Sequence, residues 1–211
     1  MNWLETMIYK NNELSHFNDC ANGIAPKYLD LEAYANKLGI AKEISSNIKL
    51  FVHKESGFIV YKDEKSHLIA DFGKIGPTYL PGHAHADTLS FELAVNGDRV
   101  IVNLGTSAYG NSKERLRQRG TSAHSTVEID KLNSSEVWSG FRVARRASVR
   151  NIEKKLDCDS VEFSAEHDGY KRLTNQPIHK RFWHVYKGQI EVTDEVSGNG
   201  NKIDLRYYIH P

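Results

Sequence analysis

The sequence predicts a mainly β protein, folded as an antiparallel β-sandwich with a short helical segment at its N-terminal end. From Ile48 onward, short runs rich in β-branched and aromatic residues follow one another at near-regular spacing. Turn signals separate these runs, including Lys187-Gly188 and Ser197-Gly198-Asn199-Gly200. Residues 1–45 lack this pattern. We therefore divide the chain into a helical or irregular lead-in, residues 1–45, and a β-sandwich domain, residues 46–211.

The lead-in carries two helix signals. Apolar residues between Leu29 and Leu38 recur at three- and four-residue spacing, which predicts one amphipathic helix. Asp30 is placed to cap this helix, and Gly39 is placed to end it. We expect a second, short helix from Trp3 to Ile8.

The β region begins immediately after the lead-in, and its predicted strands are joined by polar loops. The strands are Ile48–His53, Gly57–Lys62, Ser66–Phe72, Thr88–Val95, Arg99–Leu104, Ser125–Ile129, Phe141–Arg150, Ser160–His167, Ile178–Tyr186, Gln189–Val196 and Ile203–Ile209. Residues 73–82 and the arginine-rich residues 110–121 are expected to be loops. A hairpin turns at Asn96-Gly97-Asp98. A three-residue turn would pair Phe91 with Asn103 on one face, and a two-residue turn would move Asn103 to the other. The sequence leaves both registers open.

Composition narrows the class of function. The 211 residues include 28 basic and 27 acidic ones, so the formal net charge is +1, and no overall field favours nucleic acid or an anionic membrane. No apolar run is long enough for a transmembrane span. Cys20 and Cys158 lie far apart and form no Cys-x-x-Cys unit. Ten histidines favour metal binding or acid-base chemistry.

Both ends of the sequence suggest part of a longer polypeptide. The first residues lack a basic region followed by an apolar core, so we predict no signal peptide within them. The last residues form a strand-like run without a tail. We expect a further domain upstream of residue 1.

The main chemical signal is the run Gly82-His83-Ala84-His85-Ala86-Asp87, in which two histidines and an aspartate stand at every second position. In an extended strand such side chains project from one face, about 7 Å apart. A metal site on a β-scaffold needs this arrangement of imidazole and carboxylate groups. The alternative is a pair of histidines at a strand end, held by ordinary hydrogen bonds.

Two later segments strengthen the metal hypothesis. One strand leads through Asn103 into a Gly-containing turn that ends on Tyr109, and an arginine-rich segment leads His124 into another strand. A zinc site takes its histidine and carboxylate ligands from neighbouring strands. His85 and His124, with an oxygen ligand from the second segment, would form such a site and leave His83 free to touch a substrate.

These motifs resemble the heparinase II/III-like domain of bacterial polysaccharide lyases over about residues 45–211. The resemblance is carried, in order, by Gly82-His83-x-His85-x-Asp87, Ser90-Phe91-Glu92-Leu93, Asn103-Leu104-Gly105-Thr106-Ser107-x-Tyr109, Arg119-Gly120-Thr121-x-Ala123-His124-Ser125-Thr126 and Ser135-Glu136-Val137-Trp138-x-Gly140-Phe141-Arg142. It implies a heparinase-type supersandwich that follows an α/α-toroid domain, with the active site in the cleft between them. Residues 1–45 would then be the end of that toroid or a linker.

The resemblance also implies roles for individual residues. His83 matches the histidine that contacts the reacting sugar, and His85 and His124 match zinc ligands. Asn103 stands where the family usually has an aspartate ligand, so zinc binding would be weakened here. Asp87 is an alternative source of the missing carboxylate.

The reaction implied is β-elimination on a uronate-containing anionic polysaccharide, such as a glycosaminoglycan or alginate. Tyr109 is a candidate to contact substrate beside His83, while the proton-transferring partners are expected on the upstream toroid. This chain alone would then be inactive. Arg115, Arg119 and Arg142 suit carboxylate or sulfate groups, because guanidinium binds such anions bidentately. The alternative for the arginine-rich segment is an ordinary solvated loop.

Two further expectations complete the sequence-based hypothesis. The parent protein would be periplasmic or associated with the cell surface, an inference from the class of substrate alone. A different class of function stays open: a non-catalytic carbohydrate-binding or scaffold sandwich that keeps the His-x-His motif, which Asn103 favours. For Trp138 and Phe141, packing in the core is preferred over stacking on sugar rings. Glu92 is a candidate to support a neighbouring loop, and simple exposure to solvent is the alternative.

Overall fold

A computed structural model of the protein describes residues 2–40 and 50–211, and these residues form an antiparallel β fold with few helices. The predicted fold class is confirmed. The helices are α1 (Asn2–Thr6), α2 (Tyr28–Lys37) and α3 (Lys113–Arg119), with a 3-10 turn at Thr121–Ala123. The strands are β1 (Leu50–His53), β2 (Phe58–Lys62), β3 (Ser66–Asp71), β4 (Phe91–Val95), β5 (Asp98–Ile101), β6 (Val127–Ile129), β7 (Val137–Trp138), β8 (Arg142–Val143), β9 (Val149–Leu156), β10 (Ser160–His167), β11 (His179–Tyr186), β12 (Gln189–Val196) and β13 (Ile203–Leu205).

Two sheets enclose the main core. One has five strands in the order β1-β2-β3-β4-β5, and the other has four in the order β12-β11-β10-β9. Side chains of Leu68, Phe91 and Leu93 from the first sheet pack against Phe163 and Trp183 from the second. The rings of Phe163 and Trp183 stack at 5.2 Å between centroids. Burial alternates along β11, as expected for a strand with one face on the core.

The opposite face of the five-stranded sheet is covered by the N-terminal segment. Met7, Tyr9 and Phe17 pack on this face against β2 and β3. Because β2 is covered on both sides, its sequence Phe-Ile-Val-Tyr is continuously apolar rather than alternating. Glu92 in β4 also points under this cover and is 0% exposed, so the alternative in which Glu92 is exposed to solvent is wrong.

The β4–β5 hairpin combines the two registers that the sequence left open. Val95 pairs with Asp98 across a two-residue turn, in which Asn96 and Gly97 both have positive φ (54° and 95°). The register then shifts, and Leu93 pairs with Ile101. Such a shift is a β-bulge, which adds one residue to a strand and redirects it.

Some predicted boundaries need correction. The N-cap residue of helix α2 is Lys27, whose side chain makes no capping hydrogen bond. Asp30, which was predicted to cap the helix, lies in its first turn. The predicted strand from Phe141 to Arg150 is interrupted because the N–H groups of Ala147 and Ser148 donate to loop side chains. The start of the first predicted strand, residues 48 and 49, lies outside the described residues. None of the helices in residues 2–40 and 50–211 has the length and apolar character needed to cross a bilayer.

Candidate active site

The His-x-His-x-Asp run lies in an irregular segment between β3 and β4, and β4 itself begins only at Phe91. The expected strand geometry at this point is therefore wrong. The three side chains also have different environments. The side chain of His83 is 67% exposed, whereas His85 and Asp87 are 0% and 1% exposed. His83 thus faces solvent, and His85 and Asp87 face inward.

The inward-facing side chains meet a third one from the later motif. Potential ligand atoms of His85, Asp87 and His124 all lie within 4.8 Å of one another, and all three residues are buried. Among the described residues, His85 Nδ1, His124 Nε2 and Asp87 Oδ2 have no hydrogen-bond partner. Unsatisfied polar atoms are costly in a protein interior, and a bound cation would satisfy these three together. Two imidazoles and one carboxylate fit zinc or a similar divalent ion.

Each histidine of this cluster is oriented through its other ring nitrogen. His85 Nε2 lies 2.9 Å from Asp19 Oδ1, and His124 Nδ1 lies 3.0 Å from Asn103 Oδ1. In each case the ring N–H donates to the oxygen, which leaves the inward nitrogen with its lone pair available. Burial lowers the pKa of His85, and burial followed by the charge of His85 lowers the pKa of His124 well below its usual range. The lowered pKa values favour the neutral imidazoles that metal ligation requires.

Asn103 was predicted as a metal ligand, but its side-chain oxygen faces His124 instead. The carboxylate in the cluster is that of Asp87. Burial, followed by the nearby charge of Asp71, raises the pKa of Asp87 well above its usual range, and burial raises the pKa of Asp71 to about 7. A cation beside Asp87 would offset this desolvation of its carboxylate. The described geometry therefore gives Asn103 a supporting position behind His124.

Asp19 connects the buried cluster to His83. One oxygen of Asp19 faces His85 Nε2, and the other lies 2.7 Å from His83 Nδ1. Arg115 donates two hydrogen bonds to the same carboxylate, from Nη1 to Oδ1 and from Nη2 to Oδ2, and the second has a length of 2.7 Å. Burial alone would raise the pKa of Asp19, but hydrogen bonds from His85, Arg115 and His83 outweigh it and hold that pKa well below its usual range. Asp19 is therefore an anion that orients two histidines.

Sequence reasoning missed Asp19 entirely. It lies 64 residues before His83, in a segment without periodicity, and outside the motifs that carry the family resemblance. The one local hint is the neighbouring Asn18, which has a positive φ (53°) and accepts a hydrogen bond from the His85 N–H. Asparagine tolerates this backbone conformation better than most residues, but the sequence did not indicate which residues it would face.

The solvent side of the site is aromatic. His83 meets the rings of Tyr109 and Phe141 edge-on, each at 6.1 Å between centroids. Tyr109 and Phe141 stack on each other at 5.8 Å and are 55% and 41% exposed. The guanidinium of Arg115 lies beneath them, 5.2 and 5.3 Å from the two centroids. Burial, followed by the charge of Asp19, raises the pKa of Tyr109. Phe141 and the 55%-exposed Trp138 are thus surface residues, and the preference for core packing is wrong.

The arginines predicted to bind substrate have different positions. Arg115 and Arg119 belong to helix α3, where a loop was expected, and both are 0% exposed. Arg119 donates through Nε to Ala84 O and through Nη1 to Ser139 O. Burial removes these two from direct contact with a polymer in this arrangement. Arg142, in β8, is exposed.

An N-cap serine followed by residues of high helix propensity could have predicted helix α3 from the sequence. Ser112 caps the helix by accepting a hydrogen bond from the Arg115 N–H at 3.1 Å. The residues that follow, Lys-Glu-Arg-Leu-Arg-Gln, all have high helix propensity.

Comparison with known proteins identifies the family of the chain. A family model, described as "Heparinase II/III-like, C-terminal", matches residues 46–211. The chain belongs to this family. No curated protein matches the sequence.

Solved structures show the same fold at low sequence identity. The chain is similar to the heparan sulfate lyase HepC from Pedobacter heparinus, with 15% identity, a TM-score of 0.75 and 99% of this chain covered. It is similar to the heparinase III BT4657 gene product, with 17% identity, a TM-score of 0.73 and 98% covered. A further structure called heparinase III has 18% identity, a TM-score of 0.73 and 99% covered. The chain spans only about a third of each of these chains, 33%, 33% and 35% respectively. The residues before 46 thus lie within the similar region.

Proposed function

We propose that this chain is the β-sandwich part of a polysaccharide lyase that cleaves a uronate-containing anionic polysaccharide by β-elimination. The observation that carries the proposal is His83, an exposed imidazole oriented by a buried carboxylate through Nδ1. Membership of the heparinase II/III-like family supports the same reaction class.

In β-elimination a base removes the proton at C5 of the uronate, the C4–O bond breaks, and a C4=C5 double bond forms. The departing oxygen then takes up a proton. Asp19 accepts the Nδ1–H of His83, so that Nε2 is the nitrogen directed at a substrate. Because the carboxylate of Asp19 fixes the ring at 2.7 Å, His83 presents a positioned imidazole to the atoms on which negative charge develops. Tyr109 and Phe141 provide a stacked aromatic surface beside His83 for a sugar ring.

A groove beside His83 offers a path for the polymer. It has a volume of about 1140 Å³, and its mostly uncharged lining includes the basic residues Lys54, Lys74 and Arg146 and the acidic residue Glu55. Arg146 donates to the carbonyls of Pro77 and Thr78 and so fixes the loop that forms one wall. The excess of basic over acidic residues in this lining favours a polyanion, and the attraction between them should weaken as the salt concentration rises.

The same proposal includes a divalent cation, such as zinc, held by His85, Asp87 and His124. When bound, such an ion would fix the segments that carry these ligands and supply positive charge behind His83. With Asp87 as the proposed carboxylate ligand, the asparagine at position 103 does not by itself argue for the non-catalytic alternative. The proposal also includes an upstream α/α-toroid domain that carries the remaining catalytic groups, without which this chain would be inactive. Residence in the periplasm or at the cell surface belongs to the same proposal.

The test uses the protein together with its upstream domain and follows the ultraviolet absorbance of the C4=C5 product. His83→Ala should lower kcat by at least about 100-fold, because a positioned acid-base group contributes roughly that much. His184→Ala is the matched control, since His184 lies on the four-stranded sheet beside Glu162 and away from the site. Equal activity of the two variants would remove His83 from the mechanism. Binding of polysaccharide without any unsaturated product would support a carbohydrate-binding role instead.

A further inference from the structure

Glu92 is a fully buried carboxylate that the proposed chemistry does not use. It lies in β4 under the N-terminal segment, and its two oxygens have separate partners. Oε2 accepts hydrogen bonds from the Tyr9 hydroxyl (2.8 Å) and from Arg99 Nη2 (3.3 Å). Oε1 accepts from two backbone N–H groups, those of His16 (2.7 Å) and Asn103 (3.2 Å). The Oε1 side is the one that leads to the metal cluster.

The first connection runs through Asn103. Glu92 fixes its backbone N–H, and the side-chain oxygen of the same residue lies 3.0 Å from His124 Nδ1. A second side-chain bond, from Asn103 Nδ2 to Ser90 Oγ at 3.4 Å, limits rotation of the amide. The position of Asn103 therefore sets the orientation of the His124 ring, whose Nε2 belongs to the cluster.

The second connection runs through the N-terminal segment. His16, held by Glu92, is followed closely by Asn18 and Asp19, and both of these contact His85. Asn18 Oδ1 accepts the backbone N–H of His85 at 3.2 Å, and Asp19 Oδ1 lies 2.9 Å from its ring Nε2. One carboxylate oxygen thus anchors the outer partners of both metal-facing histidines.

We propose that Glu92 is a positioning residue that sets the orientation of His85 and His124 at the metal centre. It acts through Asn103 on one side and through residues 16–19 on the other, and it does not itself contact the cluster. The inference rests on the proposed metal centre. Loss of an outer hydrogen-bond partner typically weakens metal affinity by about 10- to 100-fold, because the ligand nitrogens are then held less rigidly.

The test measures zinc affinity of this chain by competition with a chelator, for three variants beside the wild type. Glu92→Asp withdraws the carboxylate by one methylene, and we expect it to weaken zinc binding at least about tenfold. Glu92→Gln keeps a carbonyl oxygen toward the two N–H groups, and its affinity should stay within about threefold of wild type. Tyr9→Phe alters only the Oε2 side and should leave zinc binding unchanged. Cobalt substitution gives a second readout, since the visible bands report ligand geometry and should change only in Glu92→Asp.

A Glu92→Asp variant that binds zinc as tightly as the wild type would overturn the inference. An equal loss of zinc affinity in Glu92→Gln would indicate an effect of charge, and an equal loss in Tyr9→Phe would indicate an effect of general packing; either result would also overturn it. If Glu92→Asp does not fold, hydrogen exchange of the unaltered protein decides. Zinc should slow exchange at the His16 and Asn103 amides, and unchanged exchange at both would overturn the inference. No zinc binding by the wild type would also overturn it, while the His83 test of lyase function would stand independently.

Discussion

Replacing Asp19 by asparagine tests how strongly the buried ion pair holds the site together. The side chain of Asp19 is 6% exposed and that of Arg115 is 0% exposed, so neither charge is well hydrated. Removing one partner of a buried pair costs about 3–5 kcal/mol, because the other charge is left uncompensated. Asparagine keeps one acceptor oxygen, so we expect a loss of about 3 kcal/mol at pH 7. For a chain of this size the melting temperature should fall by roughly 6–12 °C.

The pH dependence of this loss follows from the pKa of Asp19. The folded-state pKa is held well below the usual range, whereas the unfolded value is about 3.9. The stabilising contribution is therefore complete above the unfolded pKa and is lost as pH falls through the folded one. The gap between wild type and Asp19→Asn should be constant near neutral pH and shrink below about pH 4. Urea unfolding followed by fluorescence of the buried Trp183 measures the gap at each pH.

The matched control is Glu114→Gln, which removes a carboxylate from an exposed ion pair with Arg117 in the same helix as Arg115. This variant should unfold at the wild-type urea concentration, because exposed pairs contribute little. Adding Arg115→Met to Asp19→Asn should recover part of the lost stability, since no buried charge then remains unpaired. The reasoning is refuted if Asp19→Asn lies within about 1 kcal/mol of wild type at pH 7, or if the gap does not narrow in acid.

Two other changes have calculable effects on stability. Gly57→Ala would place a Cβ 2.2 Å from Gly73 Cα and should lower the free energy of unfolding by more than about 3 kcal/mol. Gly188 has a similar positive φ but open space around it, so Gly188→Ala should lower that free energy by only about 1 kcal/mol. Equal urea midpoints for the two variants would contradict this. Burial, followed by the charge of Lys62, lowers the pKa of His67 to about 4. The contribution of neutral His67 to the stability of the fold is therefore complete above the unfolded-state pKa of about 6.5 and is lost as the pH falls toward 4. Between pH 7 and pH 5 the wild type should therefore lose about 2 kcal/mol more than His67→Gln, and parallel pH profiles would show that His67 does not titrate in this way.

The sequence was most informative where the pattern is periodic and local. Strands β10 and β12 have the predicted bounds because each alternates along most of its length and ends at a turn signal. His85 and His124 were predicted to converge on a metal, and the structure brings both to one buried cluster. Alternation was misleading at the His-x-His-x-Asp run, which is not a strand, and at Glu92, because alternation does not show that the outer face of a sheet is covered by another segment.

The residues that were missed depend on contacts over long distances in sequence. Asp19 joins Arg115 across 96 residues, and no spacing rule relates an irregular segment to a helix so far away. The same pairing explains why Arg115 was assigned to substrate: an arginine without a visible partner is expected at the surface. Burial of this guanidinium becomes favourable only once Asp19 is known to face it.

The position of Asp19 has a consequence for how domains of this kind are delimited. The family match begins at residue 46, yet the carboxylate that orients His83 and His85 comes from residue 19. A recombinant fragment or a domain exchange cut at the family boundary would keep every motif histidine and lose their common anion. In such a protein the buried guanidinium of Arg115 would lose its carboxylate partner, and the rings of His83 and His85 would lose the hydrogen bonds to Asp19 that orient them. Domain boundaries in this fold are therefore better placed where they keep buried ion pairs together than where sequence similarity begins.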